Sequence, residues 1–226
     1  MLNLNNKTAI IRMFHVYKRY RAKNALSDVS LDIARNEMIF ITGPSGAGKT
    51  TLMKLMYLGE KASEGQILID GINLDRILHR KVPFLRRKFG IIFQDFKLIT
   101  NKTVFENISL VLEASGQKRS FISKKVNSVL RIVGMEGRGS AYPISLSGGE
   151  QQKVAVARAI VGDPKIILAD EPTASLDSKS ADVILELLKK FHAQGGTIII
   201  ATHDNNLIQN ANNRVINLEN GKIKKN

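Results

Sequence analysis

MIFITGPSGAGKTTLMKLMYL, residues 38–58, passes from an apolar run into a glycine-rich loop and out again into helical spacing. The opening five residues are apolar or β-branched without interruption, as a strand buried on both faces requires. Inside the loop, GPSGAGKT fits G-x-x-x-x-G-K-[ST] at every fixed position. Gly43, Gly46 and Gly48 let the backbone wrap closely around phosphates with successive N–H groups pointing inward, while Pro44, Ser45 and Ala47 fill the intervening places. A helix starting near Lys49 adds its positive end to the same anion site. Lys49 supplies a mobile cation for the β- and γ-phosphates, and Thr50 a hydroxyl for Mg²⁺. Strand, loop and helix in this order separate a phosphate loop from a chance glycine-rich turn.

Two later stretches say more than the loop can. LSGGEQQ, residues 146–152, sets the Ser147 hydroxyl and the pair Gly148 and Gly149 ahead of a helical run, EQQKVAVARAI. That makes a second anion site at a helix start. One chain binding one triphosphate has no use for two γ-phosphate sites. KIILADEP, residues 165–172, is an apolar strand closing in Asp170 and Glu171. Two acids there lie at the carboxyl edge of a parallel sheet, where ligands bind. In phosphoryl transfer one such acid holds the hydrated Mg²⁺, here Asp170, and the other, Glu171, polarises the attacking water.

In this order the three motifs resemble the ATP-binding cassette (ABC) ATPases, and the likeness covers nearly the whole chain. It implies an α/β fold, a P-loop NTPase of ABC-ATPase type, with a mixed sheet core, an antiparallel β subdomain and a helical signature subdomain. It implies ATP hydrolysis with Mg²⁺. By the same resemblance Thr51 donates to the α-phosphate. Gln94, ending GIIFQ, is the Q-loop glutamine, a Mg²⁺ and water ligand. His203, after TIIIAT, is the switch histidine facing the γ-phosphate. Taken alone, a strand-end histidine is more often structural, and Gln94 is an ordinary polar residue. Tyr20 in VYKRY matches the aromatic that stacks on adenine; its spacing to ALSDVSLDI favours it over Tyr17 and Phe14. Ser147, Gly148, Gly149 and Glu150 would serve the ATP of an opposite subunit, and Asp177 in ASLD the D-loop between subunits. With one copy of each motif, the implied assembly is a homodimer holding two ATPs.

FQDFKLI (93–99), TVFENI (103–108) and ATHDNNLI (201–208) narrow the resemblance to cassettes of bacterial cell division, which dock on an integral membrane partner. Residues 95–98 would meet that partner, and the chain would lie on the cytoplasmic face of the inner membrane, held through it. Thr50 replaces the commoner serine, and Ala174-Ser175 stand where this branch more usually has Gly-Asn. The alternatives are a cassette of a lipoprotein-releasing or macrolide exporter and a soluble ABC ATPase acting on nucleic acid. A P-loop kinase has no use for LSGGEQQ.

Hydrophobic content of 43% and charged content of 24% are those of a globular domain. Zero cysteines excludes a disulfide scaffold and zinc–cysteine sites. Residues 1–20 lack the apolar core and cleavage site of a secretion signal, and no apolar run reaches the roughly 18 residues of a membrane span. A net charge of +14 favours an anionic partner. Part of it is clustered, in Arg76, Arg80, Lys81, Arg86, Arg87 and Lys88, in Lys118, Arg119, Lys124 and Lys125, and in Lys222, Lys224 and Lys225. Aromatics near these groups are few, which weighs against specific nucleic acid and leaves an anionic membrane surface or plain solvated faces.

Strands are expected at 10–15, 29–33, 38–42, 66–70, 90–94, 165–169 and 197–202, with a hairpin at 214–218 and 222 onward around Asn220-Gly221. A helical insertion is expected at roughly 97–160, broken at Gly116, 134–139 and Pro143, and a crossover helix at 178–194. The economical organisation is one nucleotide-binding domain over 1–226.

Overall fold

The computed structural model describes residues 9–21, 23–204, 207–208 and 213–224. The chain runs β1 (Ala9–Tyr20), β2 (Lys23–Ala34), β3 (Met38–Thr42), α1 (Lys49–Met56), β4 (Glu64–Ile69), β5 (Ile72–Asn73), α2 (Val82–Arg86) and β6 (Phe89–Ile92). It continues through α3 (Val104–Glu113), α4 (Arg119–Ile132), α5 (Gly148–Ile160), β7 (Ile166–Asp170), α6 (Ser178–Ala193), β8 (Thr197–Ala201), β9 (Arg214–Glu219) and β10 (Lys222–Ile223). These elements fall into two compact units, one of Met1–Arg86 with Gly195–Asn226, the other of Arg87–Gln194.

The first unit holds an antiparallel sheet in the order β2-β1-β4-β5. Beside it in the same unit, β3 pairs in parallel with both β8 and β9, and β10 closes antiparallel on β9, so this sheet is mixed. Phe40 sits opposite Ile200 on one side and Val215 on the other. β3 and β8 are buried almost throughout, which explains why both read as unbroken apolar runs. At the hairpin tip, Asn220 and Gly221 both have positive φ, 49° and 74°. Their Asn-Gly pair fits the tight turn that such a conformation requires.

β1 and β2 run to twelve residues each, well past the expected 10–15 and 29–33. The cause is a facing pair of irregularities. His15 and Asp28 take φ of 46° and 56°, and the β1–β2 register shifts between Met13 and Val16. Each shift resets the two-residue alternation, so the pattern fades although the pairing continues. The pair is tied by His15 Nδ1 and Asp28 Oδ1 at 2.7 Å. β5 and α2 were not foreseen; at two and five residues they are too short to carry a period.

In the second unit β6 and β7 are parallel, from Phe89 opposite Ile166 to Ile92 opposite Ala169. Helix α5 lies directly on β6: a Cβ on Gly90 would come within 2.3 Å of the Ala159 carbonyl oxygen. In α4, Ile122, Val126, Val129 and Leu130 are buried at helical spacing. Between residues 97 and 160 lie the three α-helices α3, α4 and α5, with turns at Gly116, Gly134 and Gly137, all at positive φ. Crossover helix α6 ends one residue before the expected limit.

The fold also sorts the basic groups. Arg86 donates to the carbonyls of Tyr57 (3.4 Å) and Leu58 (2.7 Å) just beyond α1. Arg87 donates to the Ala114 carbonyl at the end of α3, 2.7 Å away. Both satisfy carbonyls that a helix end leaves unpaired. Lys125 reaches both Asp163 oxygens at 2.7 Å, and Lys224 pairs with Glu219. Lys225, residues 205–206 of ATHDNNLI and residues 1–8 of the N-terminal reading lie outside the described residues.

Candidate nucleotide site

The phosphate loop is built by steric necessity. Gly43 has φ 146°, and a Cβ there would come within 1.9 Å of the Leu218 carbonyl oxygen. Strand β9 therefore presses on the loop where only glycine fits. The hairpin adds two backbone bonds, Gly221 N–H to the Ala47 carbonyl at 3.0 Å and Ser27 N–H to the Gly221 carbonyl at 2.8 Å. Gly46, at φ 77°, differs: a Cβ there would meet nothing within 4 Å. The loop is braced from behind and open at its crown.

Lys49 opens α1 and is buried, with Nζ donating to the Gly43 carbonyl at 2.7 Å and to the Pro44 carbonyl at 3.3 Å. Its charge is held against the loop it belongs to. Ala47 is buried beneath, whereas Pro44, Ser45, Gly46 and Thr50 are exposed. Thr51 is half-buried. α1 carries no acid in its first turn.

Tyr20 ends β1 with an exposed ring. Its hydroxyl donates to Glu60, and Lys18 Nζ lies 4.9 Å from the ring centroid. Glu60 also receives Lys18 at 3.1 Å and Lys54 at 3.3 Å. The Tyr20 hydroxyl, then the lysines, hold the Glu60 carboxyl below its ordinary range. Burial and the Glu60 bond push the Tyr20 phenol up. The ring that the sequence selects is therefore fixed by a charged cluster that the sequence did not reveal. His203 follows β8 by two residues and is exposed.

The second unit carries the acids and the signature. Asp170 is the last residue of β7; Glu171 beyond it is buried, with φ 48°. A positive φ in a non-glycine residue is uncommon, and here it re-aims the chain as the strand ends. Ser147 caps α5: its Oγ accepts from the Glu150 N–H at 3.2 Å, and Glu150 Oε2 accepts from the Ser147 N–H at 2.9 Å. The Ser147 N–H and then Arg138, 3.0 Å from Glu150 Oε1, keep the Glu150 carboxyl below its ordinary range. Ser147 uses an acceptor lone pair in this box and keeps its O–H to donate. Gly148 and Gly149 form the first turn.

Gly149 also lies close to the first turn of α6. A Cβ on it would fall 2.5 Å from Ser180 Oγ, and that hydroxyl donates to Asp177 Oδ2 at 2.7 Å. Asp177 caps α6 by accepting the Ser180 N–H at 3.0 Å. The Ser180 hydroxyl holds the Asp177 carboxyl below its ordinary range.

Gln94 does not end a strand. β6 stops at Ile92, and Gln94 lies exposed in a turn. Two and three residues on, Phe96 and Lys97 have φ of 58° and 50°, which no strand continues through. Sequence reasoning missed what holds this turn. Arg158, in the last turn of α5, donates through Nη2 to the Phe96 carbonyl and through Nη1 to the Lys97 carbonyl, both at 2.6 Å. Burial lowers the Arg158 pKa. Asn107, fully buried on α3, accepts from the Ile99 N–H at 2.8 Å and donates to the carbonyls of Ile99, Lys102 and Thr103. An arginine in an otherwise small and apolar helix stretch, VAVARAI, was the available signal.

The family model described as ABC transporter matches residues 26–174. The chain belongs to this family, the ATP-binding-cassette ATPases, and hydrolyses ATP. It is similar to the cell division ATP-binding protein FtsE of Streptococcus pneumoniae serotype 2, 43% identical over 216 residues, covering 95% of this chain and 94% of that protein. FtsE of Escherichia coli K12 is 42% identical over 215 residues, 95% of this chain and 97% of the relative. Among solved structures, a dimeric post-hydrolysis state of the cassette MJ0796 bound to ADP and Pi superposes with a TM-score of 0.88 at 35% identity, covering 95% and 97% of the two chains. CbiO1 of Clostridium perfringens, part of the transporter complex cbiONQ, gives a TM-score of 0.87 at 30% identity, covering 97% and 88%.

Proposed function

We propose that this chain is the ATPase subunit of a membrane-bound division complex, working as FtsE does, with an integral membrane partner resembling FtsX. The observation that carries the reading is likeness along the whole chain: 42% identity or more to FtsE proteins of three bacteria over 95% of the sequence. The 226 residues act as one nucleotide-binding domain with its helical insertion at about 97–160. No helix among the described residues is long and apolar enough to cross a membrane, which is consistent with a peripheral subunit held at the inner face through its partner.

The roles follow from chemistry and family. Backbone N–H groups of 43–48, the α1 terminus and Lys49 bind the triphosphate; Thr51 reaches the α-phosphate and Tyr20 stacks on adenine. Mg²⁺ would be held by the single oxygens of Thr50, Gln94 and Asp170 together with phosphate oxygens, the hard oxygen ligands that this ion takes. Mg²⁺ would neutralise charge developing on the phosphoryl oxygens. Glu171 orients and polarises the attacking water, and His203 faces the γ-phosphate. In a head-to-tail homodimer, the Ser147 O–H and the N–H groups of Gly148 and Gly149 receive the partner's γ-phosphate. Glu150 aims that turn through its bonds to Ser147, and Asp177 crosses the interface. ATP favours the closed dimer and hydrolysis releases it.

The test is Glu171→Gln. Purified with ATP and Mg²⁺, it should lose turnover while an ATP-dependent dimer accumulates; normal hydrolysis would remove the role given to Glu171. Used as bait in detergent-solubilised native membranes, it should retain a division-type membrane protein. Recovery of a substrate-exporting permease moves the assignment to a lipoprotein- or macrolide-type exporter. Recovery of nucleic acid alone moves it to a soluble ABC ATPase.

A further inference from the structure

We propose that residues 76–84 of the first unit form a lipid-contact shelf that rests on the anionic membrane surface. The proposal rests on the membrane-face reading above and adds a second, direct attachment to it. In this stretch Leu78 is 52% exposed and Phe84 62% exposed. Arg76, His79, Arg80 and Lys81 lie between and beside them, all exposed. Among the described residues, the side chains of Arg76, Arg80 and Lys81 have no carboxylate partner. No acidic residue occurs between Asp75 and Asp95.

The shelf is fixed in place. Leu85 is fully buried, and Arg86 is bonded to the Tyr57 and Leu58 carbonyls. The Lys81 N–H donates to the Leu78 carbonyl at 2.8 Å, closing a tight turn over His79–Lys81. A large apolar side chain beside unpaired cations suits the boundary between acyl chains and anionic headgroups, where each group finds its own solvent. A nucleic-acid partner would find Phe84 as the one aromatic here and no stacking row.

The other basic groups fit less well. On α4, Lys125 is taken up by Asp163, and the exposed Phe121 and Ile132 stand eleven residues apart along the helix. At the end of the chain Lys224 is paired with Glu219.

The experiment is flotation of the purified chain with protein-free vesicles of phosphatidylcholine alone or with about 30% phosphatidylglycerol, in low and high salt. Binding should require the anionic lipid and weaken as salt rises. Each basic residue near such a surface is worth about five-fold in affinity, so the double charge reversal Arg80→Glu/Lys81→Glu should cost about thirty-fold or more. Phe84→Ser should weaken binding while leaving its salt dependence. Arg119→Glu/Lys124→Glu, on α4, should bind as the parent does. Melting temperature and basal ATPase of each variant confirm that the fold persists. Absence of binding by the parent, loss in the α4 variant but not the 80/81 variant, or retention of an oligonucleotide in place of vesicles overturns the shelf. Because the vesicles carry no protein, failure here leaves capture of a membrane partner by Glu171→Gln unaffected, and failure of that capture leaves the lipid result standing.

Discussion

The guanidinium of Arg158 holds the carbonyl of Phe96 at 2.6 Å, joining the signature helix to the turn that carries Gln94. A second bond of the same length reaches Lys97, so one half-buried cation fixes two consecutive residues at positive φ. The planar fork of arginine suits two neighbouring carbonyls as no other side chain does.

Arg158→Ala should leave both carbonyls without their donor, at a cost of about 1–3 kcal/mol each, part of it recovered by water. Arg158→Lys should recover at most one bond and stand between the two. Denaturant midpoints order the three proteins. ATPase stimulation by the membrane partner should fall further than basal turnover, which a merely structural role does not require.

Gly43→Ala and Gly46→Ala should separate folding from binding. At Gly43 the added methyl strikes the Leu218 carbonyl, so the variant should be severely destabilised in thermal melts. At Gly46 the methyl meets no protein atom, leaving only the backbone penalty of about 1–2 kcal/mol. That variant should fold yet bind ATP poorly, because its methyl occupies the open crown of the loop. Equal melting temperatures for the two would contradict the bracing by β9.

Gly149→Ala should disturb the D-loop from the signature side. Its methyl would sit 2.5 Å from Ser180 Oγ and displace the hydroxyl that Asp177 accepts. Ser147→Ala should cost about 1 kcal/mol by removing a helix cap. Both should retain ATP binding by the monomer while losing the ATP-dependent dimer, as read by light scattering on a Glu171→Gln background. A Gly149→Ala dimer of normal strength would count against the contact.

Stability should fall in acid, and the capping boxes define where. Glu150 and Glu106 have depressed pKa values, each mainly through the N–H of its own cap residue, Ser147 or Thr103. A carboxylate depressed in the folded state contributes fully above the unfolded value of about 4.3 and is lost as pH falls through the lower, folded value. Melting temperature should therefore hold at neutral pH and decline below about 4.3, with a smaller decline in Glu150→Gln. A protein whose stability rises on acidification would reverse the sign.

The sequence by itself determined the parts that depend on local chemistry. GPSGAGKT needs its glycines and lysine wherever it folds, β3, β7 and β8 read as buried strands from unbroken apolar runs, and Ser147 with its two glycines reads as a helix start. Its limits follow from the same cause. Alternation could not track β1 and β2 through the bulge at His15 and Asp28, and β5 and α2 are too short to repeat a pattern. Only the tertiary structure decided which distant groups meet: Leu218 against Gly43, Glu60 beneath Tyr20, Ser180 against Gly149, and Arg158 under Phe96. It also divided the basic excess, giving Arg86 and Arg87 to helix ends and leaving Arg76, Arg80 and Lys81 exposed. A charge in a sequence is only a count, and its partner is chosen when strands and helices bring residues far apart in the chain to bonding distance.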